Sequence, residues 1–274
     1  MIIIHKLVGF FINIVSLFSK KLSARMALFL FTKPFKGGIN EEQSDFLGSS
    51  FREEILVNNI PVMTYRWLGK NKTILLAHGW ESNAARWRYL IEPLNKLDYN
   101  VIALDAPAHG RSGSNRFNAL LYADFIKAVT KKFNPDIVIG HSVGGMATAF
   151  SQNKLEISNI KKLILLGVPS EFTDVLKRYY KMMSYSKRTS NAVNKLIQTR
   201  FNAEPINFST ARHLESLEIE GLIIHDEKDA VIPYSDALKI NKSFKNSKLI
   251  TTTGFNHSMI DESISNHIYK FLKN

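Results

Sequence analysis

Cysteine is absent from the 274 residues, which removes disulfides and thiolate metal sites from consideration. The lack agrees with a reducing compartment, so the expectation is a cytoplasmic protein, with association to a membrane surface left open. Acidic residues are few: 24 Asp and Glu stand against 36 Lys and Arg, a formal charge of +12, with a pI near 9.7. Such a balance raises the question of nucleic acid or anionic membrane. No helix-turn-helix, aromatic RNA-binding or zinc-finger pattern supports the first. Lysine, asparagine and isoleucine are abundant together, as AT-rich coding produces, so the lysines are assigned to solvated helix faces and no nucleic-acid partner is expected. Also missing are H-E-x-x-H, G-x-G-x-x-G and the lysine–serine/threonine ending of a phosphate loop. Metal and nucleotide chemistry have no support, and no cofactor is expected.

A long apolar run is lacking too. Leu7 to Phe18 is strongly apolar, but at about a dozen residues it falls short of the roughly 20 that span a bilayer. Lys6 precedes it; Lys20, Lys21 and Arg25 follow, and then a second run, Met26 to Phe31. The basic-then-apolar order resembles a secretory leader, yet Ser23-Ala24-Arg25 makes a poor cleavage site. Leu7, Phe10, Phe11, Ile14, Leu17 and Phe18 recur at helical spacing, which predicts an amphipathic or buried helix. Residues 1–36 are read as an N-terminal helical segment. Two placements stay open for it: peripheral contact with a membrane, or packing on the protein's own surface.

What is present begins with 45% apolar residues, enough for a substantial core in one domain with an inserted subdomain. Lys33-Pro34-Phe35-Lys36-Gly37-Gly38 reads as a linker. Ile55–Val57 and Pro61–Leu68 read as a hairpin turning at Asn58-Asn59. Apolar strands at Ile74–Ala77, Val101–Leu104, Asp136–Gly140 and Leu163–Leu166 then alternate with helices near Ala85–Leu97, Phe117–Phe133 and from Val143. The alternation predicts an α/β fold: a mostly parallel central sheet with helices on both faces. It breaks between Glu171 and Leu217, where the chain is helical in character. It resumes with Leu222–His225, a helix near Tyr234–Phe244, Leu249–Thr252 and a closing helix from Glu262 to Leu272. The expected division is a core of residues 37–170 and 213–274 with an inserted helical cap of residues 171–212.

Gly140-His141-Ser142-Val143-Gly144-Gly145 follows one of those buried runs directly. A serine flanked by glycines where a strand meets a helix sits in a turn so sharp that its hydroxyl stands clear of the sheet. The plainer reading is a small residue in a tight turn. Chain order favours the chemical one, because Asp229 and His257 follow, each after its own apolar run. A serine hydroxyl needs a base to take its proton. Histidine suits that role, and a carboxylate fixes its tautomer. Asp226 and Glu227 compete with Asp229, but Asp226 is assigned to shaping the turn. His225 and His267 compete with His257 and are assigned structural roles. His109 is read as stabilising its turn, with a substrate contact as the alternative, and Asp105 is expected to order the loop after its strand. Trp87, Arg86 and Arg88 are read either as facing substrate or as packed or solvated residues.

The sequence resembles the alpha/beta-hydrolase fold family of serine hydrolases over about residues 55 to 274. The resemblance rests on His78-Gly79-Trp80, Asp105-Ala106-Pro107-Ala108-His109-Gly110-Arg111-Ser112, Gly140 to Gly145, Asp229-Ala230-Val231-Ile232-Pro233 and Gly254-Phe255-Asn256-His257. One departure is Ala108, where many members carry glycine. The resemblance implies Ser142 as nucleophile, Asp229 as acid and His257 as base, with the amides of Trp80 and Val143 forming an oxyanion hole. The reaction expected is cleavage of a carboxylic ester, lipid-like or otherwise, through an acyl-serine, while the motifs alone do not separate ester from thioester, amide or carbon–carbon bond hydrolysis. An acyltransferase with the same three residues, or a non-catalytic ligand-binding protein on the same scaffold, are the alternatives. The expected partner is a small acyl ester or amphiphile. In the cap, Tyr179, Tyr180, Met182, Met183 and Tyr185 either line an acyl pocket or pack the cap itself. Lys177, Arg178, Lys181, Lys187 and Arg188 have few acids nearby, which with the basic N-terminus points toward anionic amphiphiles or a membrane surface.

Overall fold

The computed structural model describes residues 2–152 and 159–273. Two compact units result: Met1–Lys33 with Glu171–Ser209, and the larger Pro34–Ser170 with Thr210–Asn274. The chain opens in the smaller, helical unit with α1 (Ile2–Phe18) and α2 (Lys20–Thr32). Ser19 separates them, its hydroxyl accepting the amide of Leu22 as an N-cap.

The larger unit begins with α3 (Glu41–Gly48), β1 (Phe51–Val57), β2 (Ile60–Trp67) and β3 (Thr73–Ala77). A 3-10 turn, Ala84–Trp87, runs into α4 (Arg88–Lys96), followed by β4 (Asn100–Leu104) and α5 (Ala119–Phe133). Then come β5 (Ile137–His141), α6 (Val143–Gln152) and β6 (Lys162–Leu166). At Glu171 the chain re-enters the helical unit for α7 (Phe172–Met183) and α8 (Lys187–Phe201). It returns with α9 (Thr210–Leu214), β7 (Glu220–Asp226), α10 (Tyr234–Ser243), β8 (Ser247–Thr252) and α11 (Glu262–Lys273).

The eight strands form one sheet in the order β1-β2-β4-β3-β5-β6-β7-β8. Pairings β1–β2 and β2–β4 are antiparallel and the other five are parallel. The hairpin turns at Asn58 and Asn59, both at positive φ, the left-handed pair that matches strand twist and that asparagine tolerates. Strands β4, β5 and β6 are buried at every position, as a parallel sheet with helices on both faces requires. Ile74, Leu76, Ile137, Ile139, Ile164 and Ile224 meet Trp87, Leu90 and Leu94 on the α4 side and Ile264 and Ile268 of α11. The fold expected from alternation is the fold observed. Helix α3 lies outside the elements that the alternation predicts, although Asn40 and Gln43 form a capping box at its start.

The helical unit has its own core, in which Ile12 of α1 and Ala24, Ala27 and Leu28 of α2 meet Leu176, Val193 and Ile197. Gly9 lets α1 cross the end of α7 closely, since a Cβ there would lie 1.6 Å from the carbonyl oxygen of Met183. Asn13 anchors the same crossing. Its Nδ2 donates to Ser184 O (2.9 Å), and its Oδ1 accepts from Ser186 N (2.8 Å) and Thr189 Oγ1 (2.9 Å). The apolar face read from the spacing of α1 is turned the other way: Leu7, Phe10, Phe11, Ile14, Leu17 and Phe18 are exposed. In α7, Tyr179 donates to Ala27 O and Tyr180 to Asn194 Oδ1, so both hydroxyls serve packing within this unit.

Candidate active site

The sheet changes its direction of growth between β3 and β5, which are neighbours in space although β4 lies between them in sequence. Loops leaving the carboxyl ends of two such strands diverge and open a crevice, the usual ligand site of an open α/β sheet. Both loops carry predicted residues: His78-Gly79-Trp80 after β3, and Ser142 after β5.

Ser142 stands alone between the last residue of β5 and the first of α6, with φ of 53°. A non-glycine residue in this left-handed region is strained by roughly 1–2 kcal/mol, so the surroundings must enforce it. They do so by close approach. A Cβ on Gly140 would lie 2.5 Å from the Cα of Gly145, and one on Gly144 would lie 2.4 Å from the carbonyl oxygens of Ala77 and His78. Ser142 N donates to Leu166 O at 2.9 Å, pinning the turn to β6. Gly79 lies against the serine, for a Cβ there would sit 3.1 Å from Ser142 Cβ.

Asp229 lies just past β7. Its Oδ1 accepts from the amides of Val231 (2.8 Å) and Ile232 (2.9 Å), which leaves Oδ2 for the Nδ1 of His257 at 2.7 Å. Burial acts to raise its pKa, but the hydrogen bonds from His257, Ile232 and Val231 outweigh it and hold the carboxyl below the usual range. A carboxylate accepting at Nδ1 fixes the proton there, so the Nε2 of His257 is left to accept from Ser142 Oγ at 3.0 Å. The three predicted side chains therefore form one relay, carboxylate to imidazole to hydroxyl.

The loop carrying His257 is held from three sides. Asp226 Oδ2 accepts from Phe255 N (2.8 Å) and from Thr252 Oγ1 (3.2 Å), while its Oδ1 accepts from Lys228 N (2.9 Å). The turn-shaping role expected of Asp226 is the one it has. Arg86 reaches in from the 3-10 turn, and its Nη2 donates to Ser258 O at 2.7 Å. His141 Nε2 donates to His257 O at 2.7 Å. Neither role is predicted by the sequence pattern. The adjacency of His141 to Ser142 is the only local hint.

Two further histidines are structural. His78 donates from Nδ1 to Gly79 O and accepts Ala106 N at Nε2; His109 donates to Pro107 O and accepts Glu81 N. Burial lowers the pKa of His78, His109 and His141, well below the ordinary value for His78 and His141 and less for His109. Asp105 orders its loop as expected: Oδ1 accepts Ala84 N, and Oδ2 accepts Arg111 N and the hydroxyl of Tyr65. Trp87 is buried in the core and Arg88 pairs at the surface with Glu92 and Glu42, so packing and solvation are their roles. His225 donates to Ile232 O, and His267 lies within α11. Trp80 packs edge-on against His109 and Phe117. Val143 opens α6, so its amide has no acceptor within the helix. Among the described residues no group of three His, Asp or Glu side chains is placed to hold a metal ion.

An open sheet with a serine at the strand–helix turn and an imidazole–carboxylate pair from later loops defines an alpha/beta hydrolase architecture. Comparison with known proteins agrees: residues 72–215 match the alpha/beta hydrolase fold family, and residues 187–274 match the family described as TAP-like protein. The chain belongs to the alpha/beta hydrolase fold family. It is 21% identical over 237 residues to the AB hydrolase superfamily protein YisY of Bacillus subtilis, covering 71% of this chain and 88% of the relative. It is 23% identical over 260 residues to the bifunctional esterase/perhydrolase DCH of Acinetobacter calcoaceticus, covering 73% and 91%. Among solved structures, an esterase from Exiguobacterium antarcticum superposes with a TM-score of 0.65 at 17% identity, covering 82% of this chain and all of that one.

Proposed function

We propose that the protein is a serine hydrolase that cleaves carboxylic esters through an acyl-serine intermediate. The observation that carries this reading is the relay Asp229 Oδ2–His257 Nδ1 (2.7 Å) and His257 Nε2–Ser142 Oγ (3.0 Å), ending on a serine in a strained turn. The esterase named among its relatives supports the substrate class.

Ser142 Oγ attacks the ester carbonyl carbon while its proton passes to His257 Nε2. Asp229 stabilises the imidazolium that results. The amides of Trp80 and Val143 receive the oxyanion, and the positive end of α6 favours the same charge. Collapse breaks the ester C–O bond, and His257 returns the proton to the departing alkoxide. Water, deprotonated by His257, then attacks the acyl carbon; the carboxylic acid leaves and Ser142 recovers its proton.

The test is covalent labelling by a fluorophosphonate together with hydrolysis of a short p-nitrophenyl ester. Wild-type protein should be modified at Ser142 and turn over the ester, and Ser142→Ala and His257→Ala should do neither. Unlabelled wild-type protein without turnover would overturn the proposal in favour of a ligand-binding protein.

A further inference from the structure

Helix α1 is amphipathic in the reverse of the usual sense. Two of its polar side chains serve the protein: Asn13 carries three hydrogen bonds to the α7–α8 turn and to α8, and Ser16, 1% exposed, donates to Asn13 O. Ile12, also 1% exposed, is its central core contact. Ile4, Leu7, Phe10, Phe11, Ile14, Leu17 and Phe18 face outward, Leu17 at 65% and Phe18 at 87%. On a helical projection these seven cover an arc of about 140°. Single exposed apolar residues are ordinary, whereas a continuous stripe marks an interaction surface.

Charge identifies the partner. The helical unit, Met1–Lys33 with Glu171–Ser209, holds twelve Lys and Arg against three Asp and Glu, +9 of the chain's +12. No acidic residue occurs before Glu41. The cations lie at the ends of the stripe: Lys6 is exposed near one end, and Lys20 and Lys21 are exposed just beyond the other. Arg188 joins them, its guanidinium donating to Ser16 O and Leu17 O at the carboxyl end of α1. An apolar face with cations at its ends, on a helix pair that carries no acidic residue, fits the acyl boundary and headgroups of an anionic bilayer. No described helix is long and apolar enough to cross one, and the 17 residues of α1 at 1.5 Å each extend about 25 Å.

We infer that the helical unit docks on anionic membrane surfaces, with α1 lying in the plane of the interface and its outward stripe in the acyl boundary. This docking does not depend on whether Ser142 is catalytic. The test is flotation of the full chain with vesicles of phosphatidylcholine and phosphatidylglycerol (3:1), or of phosphatidylcholine alone. Wild-type protein is expected to float with the anionic vesicles, at least fivefold less with the zwitterionic ones, and less again at high salt. A quadruple variant, Phe10→Ser, Phe11→Ser, Leu17→Ser and Phe18→Ser, should lose binding at least tenfold while keeping its circular dichroism and melting curve. Lys20→Glu with Lys21→Glu should reduce binding to the anionic vesicles selectively. Wild-type protein that stays at the bottom of the gradient, or a quadruple variant that floats equally well, overturns the inference. So does a stable wild-type dimer that the quadruple variant dissociates without any vesicle binding, which assigns the stripe to a second copy of the chain.

Discussion

His141 Nε2 lies 2.7 Å from the backbone oxygen of His257, so the residue before Ser142 holds the loop of the imidazole that faces Ser142. The His141 ring lies between that loop and Gly79, whose Cβ, if present, would meet His141 Nδ1 at 2.8 Å. Ser142, the loop of His257 and the strand-end loop after β3 thereby share one buried spacer.

Removing the spacer should disturb the loop of His257 while leaving Ser142, His257 and Asp229 in the chain. A fully buried carbonyl left without its donor costs about 1–3 kcal/mol, and the bond to His257 O is part-buried. His141→Ala is therefore expected to lower kcat for a p-nitrophenyl ester about tenfold or more, with KM changed less. Fluorophosphonate labelling should slow but persist. Unchanged kcat would show that the loop holds without His141.

The strain at Ser142 has a measurable counterpart. Glycine enters the left-handed region without the steric cost that a side chain incurs. Ser142→Gly should be more stable than Ser142→Ala by about 1 kcal/mol in urea unfolding, although both are expected to be inactive. Equal stability would mean that the turn is not strained.

Neighbouring glycines in the same turn should differ. A Cβ on Gly144 would meet backbone oxygens at 2.4 Å, whereas one on Gly145 would meet chiefly the side chain of Val168 at 2.3 Å. Backbone yields less readily than a side chain. Gly144→Ala should destabilise by about 2–3 kcal/mol and Gly145→Ala by about 1 kcal/mol, both read from urea midpoints.

Acid sensitivity should begin early. His78, His109 and His141 have pKa values lowered by burial in the folded state, while the unfolded chain titrates near 6.5. Below that pH the unfolded state binds more protons, so stability is full above about pH 7 and falls as pH drops toward the lowered folded values. Asp226 and Asp229 add a second loss lower down. Donors outweigh burial and lower both carboxyl pKa values, so that contribution is present above about pH 4 and disappears beneath it. Urea midpoints from pH 8 to pH 3 should show both phases. A midpoint flat between pH 8 and pH 5.5 would contradict the neutral histidines.

The parts of this molecule legible in its sequence were those whose signal is local. Buried parallel strands read as short apolar runs, and the glycines around Ser142 announce a tight turn in the chain itself. Asp229 and His257 were found by their position after such runs. Helix α3 has a readable start at Asn40 and Gln43 but is too short to show a long apolar pattern. Arg86 and His141 could not be placed, because their partners are carbonyls more than a hundred residues away. The spacing of Leu7 to Phe18 revealed an apolar face but not its direction. That depended on Gly9 and Asn13, which supply the inward contact, and neither carries a periodic signal.

Asp105 joins segments that are remote along the chain: β2 through Tyr65, the 3-10 turn through Ala84, and its own loop through Arg111. Gly110 packs so tightly on this carboxylate that a Cβ would fall 2.1 Å from it. Variation at this knot unseats all three at once. Selection for a new substrate therefore has to work through loops that are not tied to it.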